Sequence, residues 1–101
     1  MKSLLIIFFL IFSIRHSYAA TDTEFCKTVA QQAEAIMAMR QSDVEKKVLY
    51  EKIKYKGPEV AIILEAIIID AYETPKLKSL NAQKQAMHEF SNQWFLRCLK
   101  A

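Results

Sequence analysis

Apolar residues recur every three or four positions along most of the chain beyond residue 20, and this spacing predicts α-helices. The first helix is predicted to begin at Thr21, because Thr21 and Glu24 have the spacing of a capping box. Its apolar stripe consists of Cys26, Val29, Ala30, Ala33, Ile36 and Met37. The next position on this stripe is Arg40, a charged residue where a core-facing helix normally carries an apolar one.

Two more helices are predicted in the middle of the chain. The second follows a capping box of Ser42 and Glu45 and ends at Gly57. Its inward residues are predicted to be Val44, Val48, Leu49 and Ile53. The third helix, 58–73, starts with Pro58, which suits a first turn, and is apolar on nearly every side, as is typical of a central helix.

A membrane span is the alternative interpretation of the third helix, but its apolar run is too short and contains two carboxylates, Glu65 and Asp70. Pro75 stops this helix, because the residue before a proline avoids helical backbone angles. A last helix is predicted over 81–99. Its stripe consists of Met87, Phe90, Trp94 and Cys98.

The turn residues decide the fold class. One glycine and two prolines in 101 residues leave few places for the tight turns of a strand-rich fold. We therefore predict an all-α protein, a small antiparallel helical bundle of about four helices, with three longer helices plus a short one as the alternative. In an up-down-up-down bundle, Cys26 and Cys98 would lie at the same end.

The first 19 residues have the pattern of a secretory signal peptide. Lys2 precedes an apolar run over 4–14, and Ser17 and Ala19 suit cleavage after Ala19. An uncleaved anchor is the alternative, although the run is well below the roughly 20 residues that a spanning helix needs. Residues 20–101 are then one exported helical domain with no stable membrane span, and its oligomeric state is open.

Export implies an oxidising compartment, where the two cysteines of a short chain usually pair. We therefore predict one disulfide between Cys26 and Cys98, with two free thiols or a two-cysteine metal site as alternatives. Cleavage also removes Lys2 and Arg15, so basic and acidic residues nearly balance in what remains. Nucleic acid is therefore not expected as a partner.

No catalytic motif stands out in the sequence. It contains no glycine-rich phosphate loop, no Cys-x-x-Cys, no His-x-x-x-His and no catalytic motif that sets a serine beside a histidine. His88 is interpreted as a solvated surface residue, and Glu65 and Asp70 point to different sides of one helix. We therefore predict that the protein is not an enzyme and that it uses no cofactor and no metal.

Three groups of residues remain as candidates for a special role. Arg40 is predicted to lie level with the end of the third helix and to form a structural polar cluster there with Asp70, Tyr72 and Glu73, a recognition site being the alternative. An apolar patch beside the disulfide is predicted from Phe25, Phe95, Leu96 and Leu99, with Trp94 in the core. The alternative is that the turn at 57–58 covers this patch.

The third group is a run of lysines and tyrosines over 46–56, which we interpret as a solvated face. The alternative is that this run binds an anionic polymer or a lipid headgroup.

The chain also resembles a known group of proteins. The leader, Cys26, the stretches 35–41 and 70–75, and the closing helix with Phe90 and Cys98 are similar to those of small exported proteins of Gram-negative bacteria and their prophages. The resemblance implies a periplasmic location and one disulfide, and it assigns no activity. The lysine-rich second helix departs from the group's pattern.

These features together favour a periplasmic helical protein that acts by binding another protein of the cell envelope, for example as an inhibitor or a phage-exclusion factor. This expectation is an analogy at the level of class. The alternatives are a periplasmic acid-stress chaperone and, less favoured, a membrane-active toxin that uses the third helix.

Overall fold

The computed structural model describes the backbone of residues 19–101 and the side chains of residues 22–101. Apart from Ala19, the predicted signal peptide lies outside the described residues. The described chain forms four helices: α1 (Ala19–Gln41), α2 (Lys46–Ile53), α3 (Pro58–Ala71) and α4 (Leu80–Lys100). No strand occurs between residues 19 and 101, which confirms the predicted all-α fold.

The first and last helices form an antiparallel pair. A disulfide joins Cys26 to Cys98 with a Cα–Cα distance of 5.5 Å, as predicted. Midway along the pair, the Ser91 hydroxyl donates to the carbonyl of Ala30. At the opposite end, α1 contacts the segment that leads into α4. The disulfide therefore joins α1 and α4 at one end, and the hydrogen bond between Ser91 and Ala30 holds the two helices in the same register further along.

The helix at the centre of the fold is α1, and the prediction that the third helix is central is wrong. One face of α1 packs along α4 and another packs against α3, whereas α3 contacts mainly α1 and α2. With eight residues, α2 is too short to cover the outside of α3. The outer side of α3 therefore stays exposed although it is apolar.

The core lies where α1, α3 and α4 meet. It consists of Val29, Ala33, Ile36, Met37, Leu49, Leu64, Ile67, Ile68, Ala71 and Phe90. Leu49 is the single contribution of α2 to this buried set. Val48, which was predicted to face the core, is exposed, because α2 presents only one narrow stripe to its neighbours.

The helix boundaries agree with some sequence signals and contradict others. Gly57 is the N-cap of α3 and Pro58 its first residue, as predicted. Both predicted capping boxes are wrong: Thr21 lies inside α1, and α2 begins after Glu45 without a side-chain cap. Among α2, α3 and α4, the helix with a side-chain cap is α4, whose Ser79 hydroxyl accepts the amide of Ala82.

Candidate interaction surface

The arginine on the α1 stripe holds the segment that follows α3. Arg40 Nε donates to the carbonyl of Thr74 at 2.8 Å, and the guanidinium lies 5.1 Å from the centre of the Tyr72 ring. The Tyr72 hydroxyl in turn donates to the carbonyl of Val44. Burial raises the pKa of Tyr72, an effect that the nearby Arg40 charge partly offsets.

Asp70 does not belong to this group, and the predicted pairing of Arg40 with Asp70 is wrong. Its carboxylate accepts the indole N–H of Trp94 at 2.9 Å and contacts Arg97 at 3.3 Å. Positions 70 and 72 differ by about 200° around a helix axis, so they face opposite neighbours. Asp70 therefore faces α4, whereas Tyr72 faces the turn between α1 and α2.

The remaining predicted member of the polar cluster, Glu73, is exposed, and among the described residues it forms no ion pair. The predicted cluster is thus divided into two contacts that serve different helix pairs. One contact ties the end of α3 to α1, and the other ties it to α4.

A buried glutamine that sequence reasoning missed completes the first contact. Gln41 is 3% exposed; its Oε1 accepts the amide of Leu77 at 2.7 Å and its Nε2 donates to the carbonyl of Pro75 at 3.1 Å. The signal was present, because Gln41 lies four residues after the buried Met37 and so continues the stripe of α1. Gln41 and Arg40 together bind three residues of the connection between α3 and α4, namely Thr74, Pro75 and Leu77.

The predicted patch beside the disulfide is partly exposed. Leu96 and Leu99 are 53% and 45% exposed, and Phe95 is half-buried outside the core cluster. Phe25, in contrast, is half-buried against the core and does not belong to an exposed patch. Trp94 packs against the core, edge-on to Phe90 at 6.4 Å between ring centres.

We call Phe95, Leu96 and Leu99 the α4 patch. Arg97 marks the side of α4 that faces α3, since it contacts Asp70. At about 100° per residue, Phe95 and Leu99 lie on the side of α4 turned away from α3. The α4 patch is therefore separate from any surface on α3.

A second apolar surface lies on α3 and was not predicted. Ile62 and Ile69 are 67% and 49% exposed, and Ala66 between them is exposed as well. These three positions have the spacing i, i+4 and i+7, so they form one stripe along the helix, which we call the α3 stripe. It points directly away from the buried Leu64, Ile67, Ile68 and Ala71.

The described residues show little that points to other kinds of site. No three histidine, cysteine or carboxylate side chains of this part of the chain lie close enough together to hold a metal ion. None of the helices from residue 19 onward has both the length and the apolar character needed to cross a membrane.

Comparisons with protein-family models, with curated proteins and with solved structures found no significant match to the chain.

Proposed function

We propose that this protein is exported and acts by binding another protein of the cell envelope rather than by catalysis. The observation that carries the proposal is the α3 stripe, on which two isoleucines and an alanine face solvent along one side of a 14-residue helix. Contiguous apolar surface on a small protein commonly marks an interaction site, whereas single exposed apolar residues are normal.

The α3 stripe adds little to the stability of the free protein. Exposed isoleucines gain little from burial, and a β-branched residue forms helix less readily than alanine or leucine. Side chains at i, i+4 and i+7 have the spacing with which one helix packs against another. We therefore expect the partner to present an apolar helical face to Ile62, Ala66 and Ile69.

The α4 patch is a second, smaller candidate for contact with a partner. Leu96 and Leu99 lie on the two turns of α4 that the Cys26–Cys98 bond anchors to α1. A surface held in shape before binding loses less conformational freedom on association. Because the α4 patch and the α3 stripe face different directions, a partner would contact one of them or wrap around α4 to reach both.

The periplasm is the proposed location. The Cys26–Cys98 bond supports it, because disulfides persist mainly in oxidising compartments. The intact mass of the protein expressed with its own leader in a Gram-negative host tests the proposal: we expect a chain that begins at Ala20 and takes up no thiol-alkylating reagent. A retained leader or two alkylated cysteines would reject it.

Site-specific photo-crosslinking in the intact envelope tests the binding function. A photoreactive residue replaces Ile62 in one variant and Leu96 in another, and Gln31, an exposed polar residue of α1, serves as the matched control. We expect a discrete adduct of one mass from Ile62, with Leu96 giving the same adduct if the partner reaches both surfaces. Gln31 should give none.

Other outcomes would count against a dedicated binding protein. Adducts of equal yield from Ile62 and Gln31 would mean that contact is unselective. A broad ladder of adducts that appears only on acidification would instead support the chaperone alternative, since a chaperone exposes apolar surface by loosening its fold.

A further inference from the structure

An apolar groove lies on a different side of the molecule from both exposed surfaces, where α1, α2 and α3 meet. Its volume is about 290 Å³. The floor consists of side chains that the core already buries from below: Ile36 of α1, Leu49 of α2, and Leu64 and Ile68 of α3. Because three helices contribute to it, its shape is set by the packing of the fold.

Two lysines are the charged residues that line this groove. Lys52 of α2 and Lys56, just after α2, are four positions apart, and Lys56 is half-buried. Within the described part of the chain neither forms an ion pair, whereas the intervening Lys54, which does not line the groove, pairs with Glu51 at 2.8 Å. Among the described residues, no carboxylate lines the groove. An apolar floor is thus combined with positive charge that no described carboxylate neutralises.

This combination selects for a ligand with an apolar body and a negative head. A volume of about 290 Å³ lies just below the roughly 300 to 1,000 Å³ that small-molecule sites enclose, so it suits one alkyl chain and not a two-chained lipid. Burying the chain on the four apolar side chains would supply most of the affinity. Ammonium groups at the rim would orient the head.

We propose that the groove binds a free fatty acid, with its alkyl chain on Ile36, Leu49, Leu64 and Ile68 and its carboxylate between Lys52 and Lys56. The lysine-rich segment over 46–56 then has two parts: the lysines away from the groove are a solvated face, and these two belong to a ligand site. The inference does not depend on the proposed protein-binding function, because it uses a different surface.

Isothermal titration calorimetry on the full, disulfide-bonded protein tests this proposal, with decanoate below its micelle-forming concentration as the probe. Decanol and decyltrimethylammonium serve as neutral and cationic controls of the same chain length. We expect saturable binding of one decanoate per chain, at least tenfold weaker binding of decanol, and no saturable binding of the cation. Equal binding of all three would overturn the role of the lysines, and no saturable binding of decanoate would overturn the site.

Variants separate the groove from general attraction to a basic surface. Lys52→Gln/Lys56→Gln should weaken decanoate binding at least tenfold, because it removes both charges at the rim. Lys46→Gln/Lys47→Gln removes the same charge from the first turn of α2, outside the groove, and it should change binding less than twofold. Equal losses in the two double variants would refute a defined site.

A variant that fills the groove tests whether a second copy of the chain, rather than a fatty acid, occupies it. Ala35→Leu adds bulk to the groove wall and should abolish decanoate binding while far-UV circular dichroism stays unchanged. Sedimentation velocity should show the same monomeric species with and without this substitution. A dimer that disappears in Ala35→Leu would mean that a second copy of the chain covers the groove, and the fatty-acid proposal would be wrong.

Discussion

Replacing the buried Gln41 by alanine is expected to destabilise the protein strongly, because this side chain forms two of the three side-chain hydrogen bonds described above between α1 and the α3–α4 connection. The change leaves the half-buried amide of Leu77 without its acceptor, which costs about 1 to 3 kcal/mol. Losing the bond to the carbonyl of Pro75, which water can replace, adds about 0.5 to 1 kcal/mol. One lost methylene adds about 0.8 kcal/mol.

We therefore expect Gln41→Ala to lower the free energy of unfolding by about 3 kcal/mol, or roughly 12 to 24 °C in Tm for a domain of this size. Urea unfolding followed by circular dichroism, with the disulfide intact, measures this change. Gln85→Ala is the matched control, since Gln85 is exposed and its side chain donates to the exposed Glu89 on its own helix. If the two variants differ by less than about 0.5 kcal/mol, Gln41 does not hold the connection.

Three further predictions concern other contacts of the fold. Asp70→Ala should lower the free energy of unfolding in urea by about 1 to 3 kcal/mol, because it leaves the Trp94 indole N–H without its acceptor. Asp70→Asn keeps an acceptor and should therefore lower it clearly less. Equal losses of stability in the two variants would contradict this role of Asp70. Asp43 has a φ of 67°, so Asp43→Ala should be less stable than Asp43→Gly by about 1 kcal/mol, and a more stable alanine variant would refute the argument. Burial raises the pKa of Tyr72 above its ordinary value of 10.0, so the neutral phenol stabilises the fold below that pH and this contribution is lost as the pH rises through the folded-state pKa. Unfolding between about pH 8 and pH 12 should therefore show a steeper loss of stability for the unmodified protein than for Tyr72→Phe, and parallel curves would contradict the assignment.

The sequence was sufficient to predict the features that depend on local pattern. The 3.6-residue period located four helices, the scarcity of glycine and proline excluded a strand-rich fold, and the spacing of Cys26 and Cys98 agreed with an antiparallel bundle joined by a disulfide. The pair Gly57 and Pro58 marked a helix boundary correctly, because a proline fits only the first turn of a helix.

Features that depend on how helices are placed against each other were not predictable in the same way. The apolar composition of α3 suggested a central helix, but its burial depends on the length of α2, which is too short to cover it. The predicted pairing of Arg40 with Asp70 was wrong because the apolar stripe of α1 does not determine how α3 is rotated about its own axis. That rotation decides which neighbouring helix Asp70 faces. A partly buried indole N–H needs a hydrogen-bond acceptor. This requirement was the one sequence signal that could have identified Trp94 as the partner of Asp70.

In the proposed function, the α3 stripe binds a partner and does not stabilise the fold. The most direct test places the photoreactive residue at Ala66, the exposed neighbour of Ile62 on the stripe, and measures both the free energy of unfolding and the partner adduct for Ile62→Ser. Ile67→Ser is the matched control, since Ile67 is fully buried on the opposite side of the same helix. We predict that Ile62→Ser changes stability by less than about 0.5 kcal/mol and abolishes the adduct, whereas Ile67→Ser costs several kcal/mol. If Ile62→Ser destabilises the protein as much as Ile67→Ser, or leaves the adduct unchanged, the α3 stripe is not a binding surface.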